Sequence, residues 1–149
     1  MRHIARRALW TSAAAAALAT AFITSGMAQG SKVALTAALS GAAEVPPKDV
    51  PGTGAAVITL DQGTKTLTWE VSYSGLTGEA RAAHFHGPAA VGANAGVALP
   101  MTVSPSPIKG TAQLTDQQMT DLLAGKWYVN IHTPANGGGE LRGQVVAAK

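Results

Sequence analysis

The sequence predicts an all-β protein: an antiparallel Greek-key β-sandwich or barrel of about 7 to 8 strands with one short crossover helix. Three observations lead there. Apolar and polar residues alternate at the strand period along most of the chain, Gly and Pro punctuate it at short intervals, and a good helical signature occurs in one place.

Val33-Ala34-Leu35-Thr36-Ala37-Ala38-Leu39 alternates after its first residues and is closed by Ser40-Gly41. The β-branched run Ala55-Ala56-Val57-Ile58-Thr59-Leu60 ends at the turn-rich Asp61-Gln62-Gly63-Thr64-Lys65. Leu67, Trp69, Val71 and Tyr73 then fall on one face and Thr68, Glu70 and Ser72 on the other, which predicts a hairpin with one side in the core. Further strands are expected at Ala80 to His86, Val97 to Val103, Lys109 to Leu114, Trp127 to His132 and Leu141 to Ala147. The helix is announced by Thr115-Asp116-Gln117-Gln118, a capping box in which Thr115 is the N-cap and Gln118 reaches back to it. Met119, Leu122 and Leu123 follow at helical spacing, and Gly125 ends the element. Pro46-Pro47 with Pro51-Gly52, and Ser104-Pro105-Ser106-Pro107, mark irregular loops too short to separate two domains.

Residues 1–28 read as an export signal and 29–149 as a single domain. Arg2, Arg6 and Arg7 form a positive leader, Ala8 to Ile23 an Ala-rich apolar stretch, and Gly26-Met27-Ala28 a small-residue cleavage site before Gln29. Arg6-Arg7 also permits a twin-arginine signal. The stretch is shorter and richer in Ala than the roughly 20 strongly apolar residues of a membrane span, which favours cleavage and a periplasmic or secreted product with no membrane attachment. Those three arginines account for the whole formal charge of +3, leaving equal numbers of cationic and anionic residues in the remainder. A balanced chain without a Lys/Arg cluster lacks the long-range attraction that nucleic acid or an anionic membrane demands. The absence of cysteine excludes disulfides, thiolate metal sites and a Cys nucleophile.

Chemistry concentrates on histidine. His84 and His86 stand two apart, so on a strand they point the same way about 6.6 Å apart. Ala83 and Phe85 suit the core, which puts both imidazoles on the opposite face. In Trp127 to His132, the residues Trp127, Val129 and Ile131 suit the core, and Tyr128, Asn130 and His132 face the other way. If the two strands are neighbours, His84, His86 and His132 can share one metal ion, with metal–nitrogen distances of about 2.0–2.1 Å. Three nitrogens with no sulfur and an open position suit Cu(II) or Zn(II), and the affinity order favours copper. The structural alternative is a pair of surface histidines beside the Gly87-Pro88 turn, bonded to local backbone. His3 lies in the leader and is excluded.

Three ordered motifs carry a resemblance. Ser40-Gly41-Ala42-Ala43-Glu44-Val45-Pro46-Pro47, His84-Phe85-His86-Gly87-Pro88-Ala89, and Tyr128-Val129-Asn130-Ile131-His132-Thr133 with Gly138-Gly139-Glu140-Leu141-Arg142-Gly143-Gln144 are similar to successive motifs of the CHRD (chordin-type) domain. The resemblance runs from about Val33 to Val146. It implies an immunoglobulin-like or Greek-key β-sandwich of the kind found in exported bacterial proteins and in the morphogen antagonist chordin, and it does not settle function. A weaker resemblance links His84, His86 and His132 to the copper ligands of Cu/Zn superoxide dismutases, Greek-key barrels with a His-x-His strand and a later His. The chain departs from that pattern: it has no fourth, bridging histidine and no visible zinc site. Glu140 is expected where those enzymes carry an arginine that attracts the anionic substrate, and a carboxylate there would repel superoxide.

Glu44 and Glu140 are the acidic residues in the motifs. They could complete a metal shell, or orient a liganding histidine by accepting its other N–H. They could equally pair with Arg81 or Arg142, or bond turn amides, the commoner fate of such carboxylates. Gly137-Gly138-Gly139 is followed by no helix start or P-loop lysine and reads as a loop; Trp69, Trp127 and Tyr73 read as core. There is no G-x-S-x-G elbow or paired acidic site for a hydrolase. The sequence therefore predicts an exported CHRD-type domain binding a metal ion, copper favoured and zinc possible, without catalysis. The competing classes are a metal-free protein-interaction or matrix module and a copper enzyme similar to superoxide dismutase.

Overall fold

The structure, a computed structural model, describes residues 31–149; the expected export signal and the boundary before Gln29 lie outside the described residues. Nine strands and one helix follow in order: β1 Lys32–Ser40, β2 Thr53–Asp61, β3 Thr66–Ser74, β4 Ala82–His86, β5 Val97–Met101, β6 Ile108–Gln113, α1 Asp116–Leu123, β7 Tyr128–His132, β8 Leu141–Gln144 and β9 Val146–Ala147. A single 3₁₀ turn, Gly41–Ala43, follows β1.

The strands pair antiparallel in the order β5-β4-β7-β8-β1-β2-β3-β6, and β9 adds to β1. Eight of them curl into a nearly closed Greek-key barrel, with β5 and β6 at the open seam. The β2–β3 hairpin closes as its sequence predicts, because Asp61 Oδ1 accepts from the backbone N–H groups of both Gly63 and Thr64 at 3.0 Å. The chain then crosses to β4, and β6 returns to pair with β3. No helix among the described residues is long and apolar enough to cross a membrane.

Alternation puts Leu35, Ala37 and Leu39 of β1, Ile58 and Leu60 of β2, and Leu67, Trp69 and Val71 of β3 inside the barrel. Phe85 anchors β4 there, edge-on to Trp69 at 5.5 Å between ring centroids and 5.8 Å from Trp127. Burying such a ring stabilises the fold by about 1.5–3 kcal/mol. Because strand side chains alternate, the burial of Phe85 fixes His84 and His86 on the outer face.

The helix forms where the capping box predicts: Gln118 N–H donates to Thr115 Oγ1, and Thr115 N–H donates to Gln118 Oε1. It ends in a Schellman motif around Gly125 at φ +69, with Gly125 N–H donating to Leu122 O and Lys126 N–H to Asp121 O. Gln118 Nε2 donates to Ala98 O at 3.0 Å, laying the helix along β5 beside the seam. Two expectations are corrected. The strand expected from Leu141 to Ala147 breaks at Val145, whose side chain turns into the core and whose N–H donates to Trp127 O. Tyr73 is only half-buried, its hydroxyl drawn to Ser104 O at 3.0 Å.

Candidate metal centre

Strands β4 and β7 are neighbours, with His84 opposite Asn130, His86 opposite Tyr128 and Ala82 opposite His132. His84 and His132 therefore sit diagonally across the pair, within reach of long side chains. A bulge in β5, where Phe85 pairs with Leu99 but His86 pairs with Val97, bends the sheet beside His86. The ring centroids of the three histidines lie 5.0 to 5.8 Å apart. One ring nitrogen from each falls within 4.8 Å of the other two.

The hydrogen bonds fix the tautomers. His86 Nδ1 lies 3.0 Å from Ala95 O and His132 Nδ1 lies 3.1 Å from Gly137 O. A carbonyl only accepts, so both Nδ1 atoms carry hydrogen and both Nε2 atoms present lone pairs. His84 Nδ1 lies 3.1 Å from His132 Nε2 and must be the donor there. His86 Nε2 is buried and has no hydrogen-bond partner. A buried acceptor left unpaired costs about 1–3 kcal/mol, and such an orphan calls for an explanation.

All three imidazoles are held below their ordinary pKa of 6.5. Burial is the largest cause in each. His132 and His86 lower His84 further, and Arg142 lowers His86. The carbonyls that bond His86 and His132 oppose the shift in part. The cluster is thus biased toward neutral rings, the form that ligates metal. Two nitrogens bound at right angles about 2.0–2.1 Å from one ion lie about 3 Å apart, which is the spacing already held between His84 and His132. The three-histidine group could hold a metal ion.

The face that carries the cluster is roofed rather than open. Alternation places Tyr128 and Asn130 beside the histidines as expected, yet they are only 3% exposed, and Arg142 of β8 only 2%. The 87–96 loop, the 133–140 loop and the turn after β1 lie over it. Asn130 Nδ2 donates to Glu44 Oε1 and to Leu141 O. Tyr128 stacks on His86 with ring planes within 5°.

Of the roles open to the two glutamates, the structure shows the structural one. Glu140 is fully buried and accepts from Thr77 N and Oγ1, Thr133 Oγ1 and Asn136 Nδ2, tying the loop before β4 to the β7–β8 loop. Burial pushes its pKa up, but these donors together outweigh it and hold the carboxyl below its ordinary value. Glu44 is bonded to Asn130 beneath Gly139, and burial raises its pKa against the pull of Asn130 and Arg142. Neither glutamate accepts from a cluster histidine or forms an ion pair with arginine among the described residues; Arg81 pairs with Glu79. The N–H groups that a carboxylate might have oriented are taken by the carbonyls of Ala95 and Gly137.

A cavity of about 500 Å³ lies elsewhere, between the loop after β3 and the loop after β5. Its one charged lining residue is Glu79, so it gathers no set of convergent titratable groups.

Comparison with known families decides the classification. The model of the CHRD domain matches residues 35–145. The chain belongs to the CHRD-domain family. Its His-x-His strand β4, its strand β7 and the neighbouring strand β8, Leu141–Gln144, thus lie within one CHRD domain around the histidine cluster. No curated protein and no solved structure matches the chain significantly.

Proposed function

We propose that this CHRD-domain protein is exported and takes up a single transition-metal ion, copper foremost, through His84, His86 and His132. The carrying observation is the buried, unpartnered Nε2 of His86, in a cluster whose three imidazoles each offer a ring nitrogen within 4.8 Å of the others. A neutral imidazole buried without a partner for its lone pair is an expense that a bound cation would remove. Three nitrogen donors without sulfur favour Cu(II) over Zn(II) in the general affinity order, with zinc the nearest competitor. The nitrogens left free by the backbone carbonyls assign the ligand atoms as His86 Nε2, His132 Nε2 and His84 Nδ1, the last after its hydrogen moves to the far ring nitrogen. The proposal is of binding at one mononuclear site, since no fourth histidine is present among residues 29–149 to bridge to a second metal.

Titration of the purified protein with Cu(II) tests the reading. Saturation at one ion per chain is expected, lost in His84→Ala. Uptake that is weak, and equal in the variant, would leave a metal-free interaction module. Export is tested by expressing the full chain and sequencing the N-terminus of the product outside the cytoplasm. A start at Gln29 is expected; an uncleaved chain in the cytoplasm would contradict it.

A further inference from the structure

Arg142 stands on β8 opposite Asn130 of β7, and its guanidinium is almost fully buried. It makes no ion pair with a carboxylate among the described residues. Burying a cation without a paired anion is costly, so its neutral contacts matter. They are two. Its Cζ lies 3.6 Å from the centre of the Tyr128 ring. Its Nη1 donates to Asn94 Oδ1 at 2.9 Å and its Nη2 to Ala93 O at 2.6 Å.

Both routes end on His86. Tyr128 lies on β7 between β8 and β4, taking Arg142 from one side and stacking with His86 from the other at 5.0 Å between centroids. The segment that Arg142 grips, Ala93-Asn94, runs into Ala95, whose carbonyl accepts the His86 Nδ1 hydrogen. Tyr128 Oη fastens the same residue, accepting from Ala95 N at 3.1 Å and donating to Ala95 O at 3.3 Å. One planar cation therefore sets the ring plane of His86 through Tyr128 and its tautomer through Ala95.

We infer that Arg142 is a positioning residue of the metal centre, holding His86 with Nε2 bare and directed at His84 and His132. The inference rests on the three-histidine reading above. Groups that orient a liganding histidine without touching the metal typically govern affinity by about 10- to 100-fold. Lysine keeps the charge but lacks the flat fork that stacks on Tyr128 and reaches Ala93 and Asn94 together.

The test compares the protein with Arg142→Met, Arg142→Lys and Tyr128→Phe. It combines Cu(II) affinity, ¹⁵N NMR of the histidine rings without metal, and the urea midpoint. Both Arg142 variants should bind Cu(II) about 10- to 100-fold more weakly. Their metal-free His86 signals should move from the Nδ1–H pattern toward a mixture of tautomers, while His132, locked by Gly137, stays put. Tyr128→Phe, which keeps the stack and loses the hydroxyl, should fall between. Unchanged His86 signals in Arg142→Met would overturn the inference, as would full recovery in Arg142→Lys, which would reduce the effect to charge. If the Arg142 variants do not fold, Asn94→Ala serves in their place: a smaller shift of His86 in the same direction supports the hold, and none overturns it. Should the unaltered protein take up no Cu(II), the metal reading fails, while the metal-free NMR still decides whether Arg142 holds His86.

Discussion

His84 Nδ1 lies 3.1 Å from His132 Nε2, and because His132 Nδ1 already donates to Gly137 O, the hydrogen between the two rings belongs to His84. With His86 Nδ1 donating to Ala95 O, all three rings carry their hydrogen on Nδ1. Histidine in water favours the other nitrogen, so the arrangement is imposed by the fold. Long-range ¹⁵N–¹H correlation spectra at pH 7.5 should show three Nδ1–H tautomers. Adding Zn(II) should move His84 alone to the Nε2–H form. A cluster already in the Nε2–H form without metal would contradict the hydrogen-bond assignment.

The depressed histidine pKa values have a stability consequence. A base whose folded pKa lies below its unfolded one binds its proton more readily when unfolded. Stability from these groups is therefore complete above about pH 6.5 and is lost as pH falls from there through the lowered folded values. Glu44, whose pKa is raised, acts with the opposite sign: its share is complete below its ordinary 4.5 and is lost as pH rises through the folded value. Urea midpoints of the metal-free protein should fall between pH 7.5 and 5.5. The fall should be smaller in His84→Gln, a comparison in which Glu44 is common to both proteins. Equal slopes would show that the cluster does not titrate as a desolvated group.

Glu140 is expected to act in folding and not at the metal. Glu140→Gln replaces an acceptor oxygen with an N–H₂ facing hydroxyl and amide donors, leaving buried groups unpaired at a cost of about 1–3 kcal/mol. Urea denaturation should show that loss, while Cu(II) affinity of the folded variant stays within about threefold. A stable Glu140→Gln protein with much weakened metal binding would return Glu140 to the site.

Gly139 adopts φ +132, and a Cβ there would lie 2.5 Å from Glu44 Oε1 and 2.6 Å from Asn130 Nδ2. Gly139→Ala should therefore cost about 1–3 kcal/mol in urea denaturation. Gly137 and Gly138 have open space at the same position, so alanine there should be tolerated. Equal costs at all three would mean that the loop acts through chain flexibility and not through this close approach.

The barrel was legible because its strands alternate. Burial of Phe85 and of Val129 with Ile131 is written in the period-2 pattern, and the same pattern puts the three histidines on the outward face. The capping box at Thr115 was readable because Gln118 sits three residues on. Neighbourhood of β4 and β7 could only be assumed, since pairing of strands so far apart in sequence leaves no local mark. The carbonyls of Ala95 and Gly137 were invisible because every residue has one. The partners of Glu140 were hidden for a related reason: its donors, Thr77, Thr133 and Asn136, come from two loops whose approach no spacing rule foretells. Tyr128 was on the right face, but its burial beside Arg142 and the 87–96 loop rests on contacts between segments far apart in sequence, which leave no local mark.

The most direct test of the central claim is X-ray absorption at the copper edge, on protein loaded with one equivalent of Cu(II) and on the variants His84→Ala, His86→Ala and His132→Ala. Three imidazoles at about 2.0 Å are predicted in the unaltered protein, each substitution removing one and weakening affinity by more than about 100-fold. A copper shell that keeps the same number of imidazoles when His84, His86 and His132 are replaced in turn would contradict the account.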